Sequence, residues 1–321
     1  MEVRELKNRV FGILPLLFAL LIMMALVGCS QLVQGGHPAA AEGGSQPFQS
    51  SSRIHVVASF YPIAFFASQV GGDRVTVTSL VPAGVEPHDW EPSVADVKAL
   101  NAAQVFAYNG ADFEPWVGKT LESLGNHRLI AVNASEGLDL IRESNGDAPN
   151  PHVWLDPVSA AFQVDRIEAA LAQADPEGKQ TYEANASAFK AKLAELDRQY
   201  QALGVLAQKD VVVSHAFFSY PARRYGLHEV AVSVSPDSEP TPRQVADVAT
   251  YVKDHHIKYL FAETLVNDKV MQTIAEQTGA KILTLNPVEG LTEQDLKEGK
   301  DYLSILRANL ASLRQGLQAG E

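Results

Sequence analysis

Residues 175–203 read DPEGKQTYEANASAFKAKLAELDRQYQAL, and this stretch decides how the chain is organised. Asp175-Pro176 is an N-cap residue followed by a proline suited to the first helical position, and Gly178 is the only weak point after it. Tyr182, Ala186, Phe189, Leu193, Leu196, Tyr200 and Leu203 recur at alternating steps of four and three, which draws one apolar stripe along one helix. At 1.5 Å per residue such a helix reaches roughly 40 Å, long enough to lie across two lobes. A coiled-coil partner would bury the same stripe. The segment sits midway between two halves of similar pattern, however, so a helix lying across both is the expectation.

On each side of that helix the chain alternates between strand and helix. In the first half strands are predicted over Ile54 to Phe60, Arg74 to Val81, Gln104 to Tyr108 and Arg128 to Val132, with helices near 61–71, 93–103 and 114–124. In the second half strands fall near 210–214, 228–234, 257–262 and 280–285, with helices near 241–256, 267–278 and 300–318. Such alternation with short connections predicts an α/β fold with mainly parallel sheets and flanking helices. The expected organisation is an N-terminal lobe over 53–173, a connecting helix over 174–208 and a C-terminal lobe over 209–321.

Ahead of the lobes, Arg4, Lys7 and Arg9 give a basic start, and Val10 to Val27 is uncharged and almost wholly apolar. The run ends in Leu26-Val27-Gly28-Cys29, the Leu-x-Gly-Cys pattern of a bacterial lipoprotein signal. A membrane-spanning anchor competes for a run of this length. The only cysteine of the chain, placed directly after a small residue, decides for a signal peptide over 1–28 and a lipid on Cys29. Residues 29–52 are rich in Gly, Ala, Ser and Gln and read as a flexible tether. The protein is thus expected outside the cytoplasm, anchored by lipid to the bacterial cell membrane. With 26 basic against 38 acidic residues the chain carries −12 and no basic patch, which argues against nucleic acid and suits the attraction of a cation.

Nine histidines are present, and most sit where a solvated or packed ring is expected: His37 in the tether, His55 and His228 in strands, His127 after a turn, His255 and His256 at a helix end. Three differ. The pattern Pro-His-x-Trp occurs twice, as Pro87-His88-Asp89-Trp90 and Pro151-His152-Val153-Trp154, each soon followed by another proline. Proline restricts its own backbone and that of the residue before it, so these rings are partly aimed before any ligand arrives. His215 closes the apolar run Asp210-Val211-Val212-Val213-Ser214. All three lie at or beyond predicted strand ends, where open α/β sheets bind ligands. No pair has a zinc-finger spacing, so spacing alone leaves a purely structural role open.

Read as words, the motifs say more. Val81-Pro82-Ala83-Gly84-Val85-Glu86-Pro87-His88-Asp89-Trp90-Glu91-Pro92-Ser93, Asn150-Pro151-His152-Val153-Trp154-Leu155-Asp156-Pro157 and Ser214-His215-Ala216-Phe217-Phe218 resemble the zinc/manganese solute-binding lipoproteins of bacterial metal-uptake ABC transporters. Phe261-Ala262-Glu263, Leu285-Asn286-Pro287-Val288-Glu289-Gly290-Leu291 and Gly299-Lys300-Asp301-Tyr302 extend the likeness over roughly 54–318. The resemblance implies two α/β lobes joined by one long rigid helix, with one metal ion in the cleft between them. It carries the metal ligands onto His88, His152, His215 and Glu289, two on each lobe. Glu86, Asp89, Asp156 and Glu263 become candidates for orienting an imidazole. It also implies an ABC permease with its ATPase as partner, a monomeric binding protein and no enzymatic turnover.

Three imidazoles and one carboxylate suit tetrahedral Zn2+, which binds such donors above Mn2+, and Glu289 in its Asn-Pro-Val-Glu setting looks like the zinc branch. Manganese is the alternative. One departure is the stretch Arg142 to Pro149, short and without histidine, where many zinc members carry a long His-rich loop. Two other classes compete: a metallohydrolase, whose zinc would keep an open water position, and an adhesin in which the metal is structural.

Overall fold

The computed structural model describes residues 53–142, 148–234 and 238–318. The signal, the tether, Cys29 and most of the short loop before Pro149 lie outside the described residues. Among the described residues no helix is long and apolar enough to cross a membrane.

In the first half β1 (Ile54–Ala58), α1 (Tyr61–Gly71), β2 (Val75–Ser79), α2 (Val94–Ala102), β3 (Val105–Tyr108), α3 (Val117–Ser123) and β4 (Ile130–Asn133) follow the predicted alternation. The strands form one parallel sheet in the order β2-β1-β3-β4. After α4 (Pro157–Ala174) and α5 (Lys179–Gln201) the pattern repeats through β5 (Asp210–His215), α6 (Ser219–Tyr225), β6 (His228–Ser233), α7 (Pro242–Asp254), β7 (Tyr259–Ala262), α8 (Lys269–Thr278) and β8 (Lys281–Thr284). This second sheet is also parallel and has the corresponding order, β6-β5-β7-β8. The chain closes with α9 (Glu293–Lys297) and α10 (Tyr302–Gln318). The inner strands read as continuous apolar runs because both faces are covered: Val56, Val57 and Ala58, like Val211, Val212 and Val213, have no exposed surface.

The helix that carries the apolar stripe is α5, 23 residues and about 34 Å long. Every stripe residue from Tyr182 to Leu203 is buried. It packs on α1 and α4, and at its far end the Tyr200 hydroxyl donates to the Leu306 carbonyl on α10 at 2.7 Å. One hydrophobic core runs from Val56 and Val105 of the first sheet through this stripe to Val211, Val213 and Leu310 of the second half. The outer faces have smaller clusters of their own, around Val57 and Phe106 on one side and Leu260 and Met271 on the other.

Two local expectations need correction. Asp175 does not cap α5: Pro176–Gly178 forms a 3-10 turn and the regular helix starts at Lys179. The Asp175 carboxylate instead takes Arg74 at 2.7 Å and the Tyr182 hydroxyl at 2.7 Å, charge-assisted bonds that outweigh a cap. The helix α4 was not drawn from the alternation, although Asp156-Pro157 carries the same cap signature. There the signature holds, and Asp156 accepts the N–H groups of Val158 and Ser159.

Candidate metal centre

The carboxyl ends of the two sheets converge, and His88, His152, His215 and Glu289 meet where they do. His215 is the last residue of β5, and the other three sit in the loops that follow β2, β4 and β8. Their ligand atoms all lie within 4.8 Å of one another, the only such set of three or more His, Cys, Asp or Glu among the described residues. Glu289 Oε1 stands 3.2 Å from His88 Nε2 and 3.3 Å from His152 Nε2. His152 Nε2 is in turn 3.3 Å from both His88 Nε2 and His215 Nε2. The edge of a tetrahedron around zinc, with zinc–nitrogen bonds of about 2.05 Å, is about 3.3 Å.

Each loop is built to aim its ligand. Asn150 Oδ1 accepts the backbone N–H of His152 at 3.1 Å, an Asx turn, and Asn286 Oδ1 accepts that of Val288 at 2.7 Å in the same way. The Glu86 carboxylate does the equivalent for His88 N, 3.1 Å from both oxygens. The Glu289 loop is further fixed from α10: Asn309 exchanges hydrogen bonds with the main chain of Asn286 at 2.8 and 2.7 Å. Val288 is held at φ 60, a costly conformation for a β-branched residue that persists only because these bonds impose it.

The imidazoles are fixed as well as placed. Asn150 Oδ1 lies 3.0 Å from His152 Nδ1, and Glu263 Oε1 lies 2.8 Å from His215 Nδ1. Both partners are acceptors, so each Nδ1 carries the proton and each Nε2 turns its lone pair inward. Aromatic rings pack against the imidazoles: Phe113 on His88 at 4.8 Å, Trp154 on His152 at 5.1 Å and Phe217 on His215 at 5.1 Å. His152, His215 and Glu289 are almost wholly buried, while His88 keeps 13% of its side chain exposed and forms the open side.

Burial drives His152 down to about 3, with the neighbouring His215 and His88 adding to the fall and Glu289 opposing it. Burial alone would lift Glu289, but the imidazoles of His152 and His88 hold it below the usual carboxylate range. At neutral pH the centre therefore presents inward-facing lone pairs and one negative charge.

Of the residues proposed to orient an imidazole, Glu263 does so. Asp156 does not: its oxygens are taken by the cap of α4 and by Arg224 of α6, at 2.5 and 2.6 Å. Asp89 is exposed, and the Glu86 carboxylate serves the backbone of its own loop. Asn150 and Asn309 were missed. Asn150 stands in an Asn-Pro pair, as does Asn286, and that turn signal was legible. Asn309 lies inside α10 and leaves no such trace. Trp154 also does more than stiffen its histidine, since its Nε1 donates to the Pro287 carbonyl at 2.8 Å and links two ligand loops.

The sequence profile of the family described as "Zinc-uptake complex component A periplasmic" matches residues 56–316. The high-affinity zinc uptake system protein ZnuA of Bacillus subtilis is 34% identical over 310 residues, covering 92% of this chain and 97% of that protein. The zinc-binding lipoprotein AdcA of Streptococcus pneumoniae is 36% identical over 317 residues, and there the match spans 94% of this chain but only 60% of the longer relative. The crystal structure of the Zn(II)-bound ZnuA-like domain of that AdcA superimposes with a TM-score of 0.75 at 37% identity, covering 83% of this chain and all of the domain.

Proposed function

The chain belongs to the ZnuA family of zinc-uptake components, and from that premise we propose that His88, His152, His215 and Glu289 capture one Zn2+ outside the cytoplasm for delivery to an ABC permease. The observation that carries this reading is the convergence of these donors, with the Nε2 lone pairs of His152 and His215 beside an ionised carboxylate and four of the six donor spacings at 3.2–3.3 Å, the edge of a tetrahedron about zinc. Capture is reversible coordination. Neutral imidazoles and the Glu289 carboxylate close a four-coordinate sphere, which leaves no place for the activated water of a zinc hydrolase. The order of binding strengths for imidazole-rich sites favours zinc over manganese.

Lipid attached at Cys29 would keep the loaded protein beside its permease, as a monomer on a flexible tether; the Leu-x-Gly-Cys pattern supports this. Lipid labelling in a bacterial host is expected for the wild type and lost in Cys29→Ala. Zinc affinity by chelator competition is the test of the site. His88→Ala, His152→Ala, His215→Ala and Glu289→Ala should each weaken it at least 100-fold (about 2.7 kcal/mol). Unchanged affinity in all four would end the reading.

A further inference from the structure

Phe113 touches both sides of the metal centre. Its ring stands 4.8 Å from that of His88, nearly perpendicular to it at 77°, and 5.2 Å from that of Trp154 in the His152 loop. Three residues further on, Trp116 meets Trp90 of the His88 loop at 5.5 Å. At the other end of the same segment Asn109, which has no exposed surface, donates to the Pro151 carbonyl at 2.9 Å, directly before His152. Residues 109–116 therefore join the loop of His88 to the loop of His152, and none of them is a ligand.

The segment follows this course under strain. Gly110, Ala111 and Asp112 stand one after another in the left-handed region, with φ of 78, 53 and 59, where the Cβ of an alanine is crowded. Three hydrogen bonds latch the turn. The two oxygens of Glu114 accept the N–H groups of Asn109 at 2.8 Å and Gly110 at 3.0 Å, and Phe113 N donates to the Gly110 carbonyl at 3.1 Å. Backbone strain imposed in this way concentrates at functional sites, and what the turn delivers here is the Phe113 ring against His88.

We propose that Phe113 and Trp116 are positioning residues for zinc capture, which hold His88 against the other three donors and so set how long zinc stays bound. His88 is the ligand on the open side and needs such support most, with 13% of its side chain exposed. A ring already aimed loses less freedom when the ion arrives, so its contact with Phe113 adds to affinity and slows release. This inference rests on the zinc-capture reading.

The test is a mutant cycle on the full chain, with zinc affinity from chelator competition and release from stopped-flow chelation. Phe113→Ala should weaken zinc about 10-fold and speed its release, and Trp116→Ala should act in the same direction through Trp90. Phe113→Leu keeps the apolar bulk but loses the directed ring contact, and should cost about threefold; it serves if the alanine variant does not fold. In a His88→Ala background the same Phe113 substitution should change affinity less than twofold, because Phe113 acts through His88. Co2+ gives an independent signature, since it absorbs strongly in a four-coordinate site and weakly once water raises the coordination number. The Phe113→Ala spectrum should be weaker than that of the wild type. Affinity and release within twofold of wild type in both Phe113 variants overturn the proposal. An equal loss with and without His88 also overturns it, since the ring would then support the fold at large. If the wild type does not bind zinc, or His88→Ala leaves affinity unchanged, the capture reading itself has failed and this inference falls with it.

Discussion

Replacing Asn150 separates the aiming of a ligand from its presence. Asn150 is 1% exposed, and its Oδ1 holds both the backbone N–H and the Nδ1–H of His152 while its Nδ2 donates to the Ala216 carbonyl. Asn150→Ala leaves two donors and one acceptor without partners in a buried place, at about 1 kcal/mol or more each, so the metal-free protein should lose about 2–4 kcal/mol of stability. The ring is also free to turn and to put its proton on Nε2, the nitrogen that would face the metal. Removing such an outer partner costs about 10- to 100-fold in metal affinity, or about 1.4–2.7 kcal/mol. Asn150→Asp keeps the acceptor at Oδ1 but loses the donor to Ala216. It should be destabilised too, yet bind zinc within a few-fold of wild type. Chelator competition gives affinity, and urea denaturation of the metal-free chain gives stability. If Asn150→Ala binds zinc within twofold of wild type, or if Asn150→Asp is the weaker binder, the tautomer at His152 is not set as described.

Acid should destabilise the metal-free protein most steeply between pH 4.5 and 3. His152 is lowered from 6.5 to about 3, so its contribution is full above pH 6.5 and is lost as pH falls through 3. Glu114, which accepts the N–H groups of Asn109 and Gly110, is pushed by burial up to about 7, so its contribution is full below 4.5 and is lost as pH rises through 7. The two oppose each other from 4.5 to 6.5; below 4.5 only the His152 loss remains, reinforced by Glu289, and urea midpoints that stay flat from pH 4.5 to 3 would contradict this. Trp154→Phe removes the bond to Pro287 while keeping most of the ring, and should cost about 1 kcal/mol of stability and speed zinc release, measured by stopped-flow chelation. Leu193→Ala at the middle of the α5 stripe should cost about 2–5 kcal/mol in denaturation without changing zinc affinity; a loss under 1 kcal/mol would mean that the shared core does not depend on the stripe.

What could be read from the residues was whatever has a local cause. The runs Val56-Val57-Ala58 and Val211-Val212-Val213 announce strands covered on both faces, and the stripe from Tyr182 to Leu203 announces a helix buried along one side. The His-containing words drew attention to His88, His152 and His215 for the same reason, since prolines and strand ends act on their immediate neighbours. Asn309 could not be found that way. Its role depends on a residue 23 positions away, and a single sequence does not state which distant groups meet. Asp175 failed for a related reason: the local rule for a helix cap was overridden by Arg74, 101 residues earlier.

Chain order also misleads about which part of the protein holds His152. The resemblance assigns two ligands to each lobe, and by position His152 belongs with His88. Yet the segment 150–156 is gripped from the second half at Asn150, Trp154 and Asp156. Asn150 donates to Ala216 and accepts from the Tyr220 hydroxyl at 2.7 Å, Trp154 donates to Pro287 and accepts from the Tyr302 hydroxyl, and Asp156 pairs with Arg224. Drawing His152 away from His215 and Glu289 would break all five links, at about 1 kcal/mol each and more for the ion pair, whose acid is 2% exposed. Three of the four donors are therefore linked as one block, which Asn109, donating to the Pro151 carbonyl at 2.9 Å, and Phe60, packed on Trp154, also tie to the first half. The loop that carries His88 meets that block from outside, through the hydrogen bond from Gly84 N to the Leu291 carbonyl at 2.9 Å and through the donors themselves. The resemblance implies a long rigid helix joining the two lobes, with the metal in the cleft between them. The bonds around residues 150–156 give His152 its place more directly, and α5 supports the core on which that place depends.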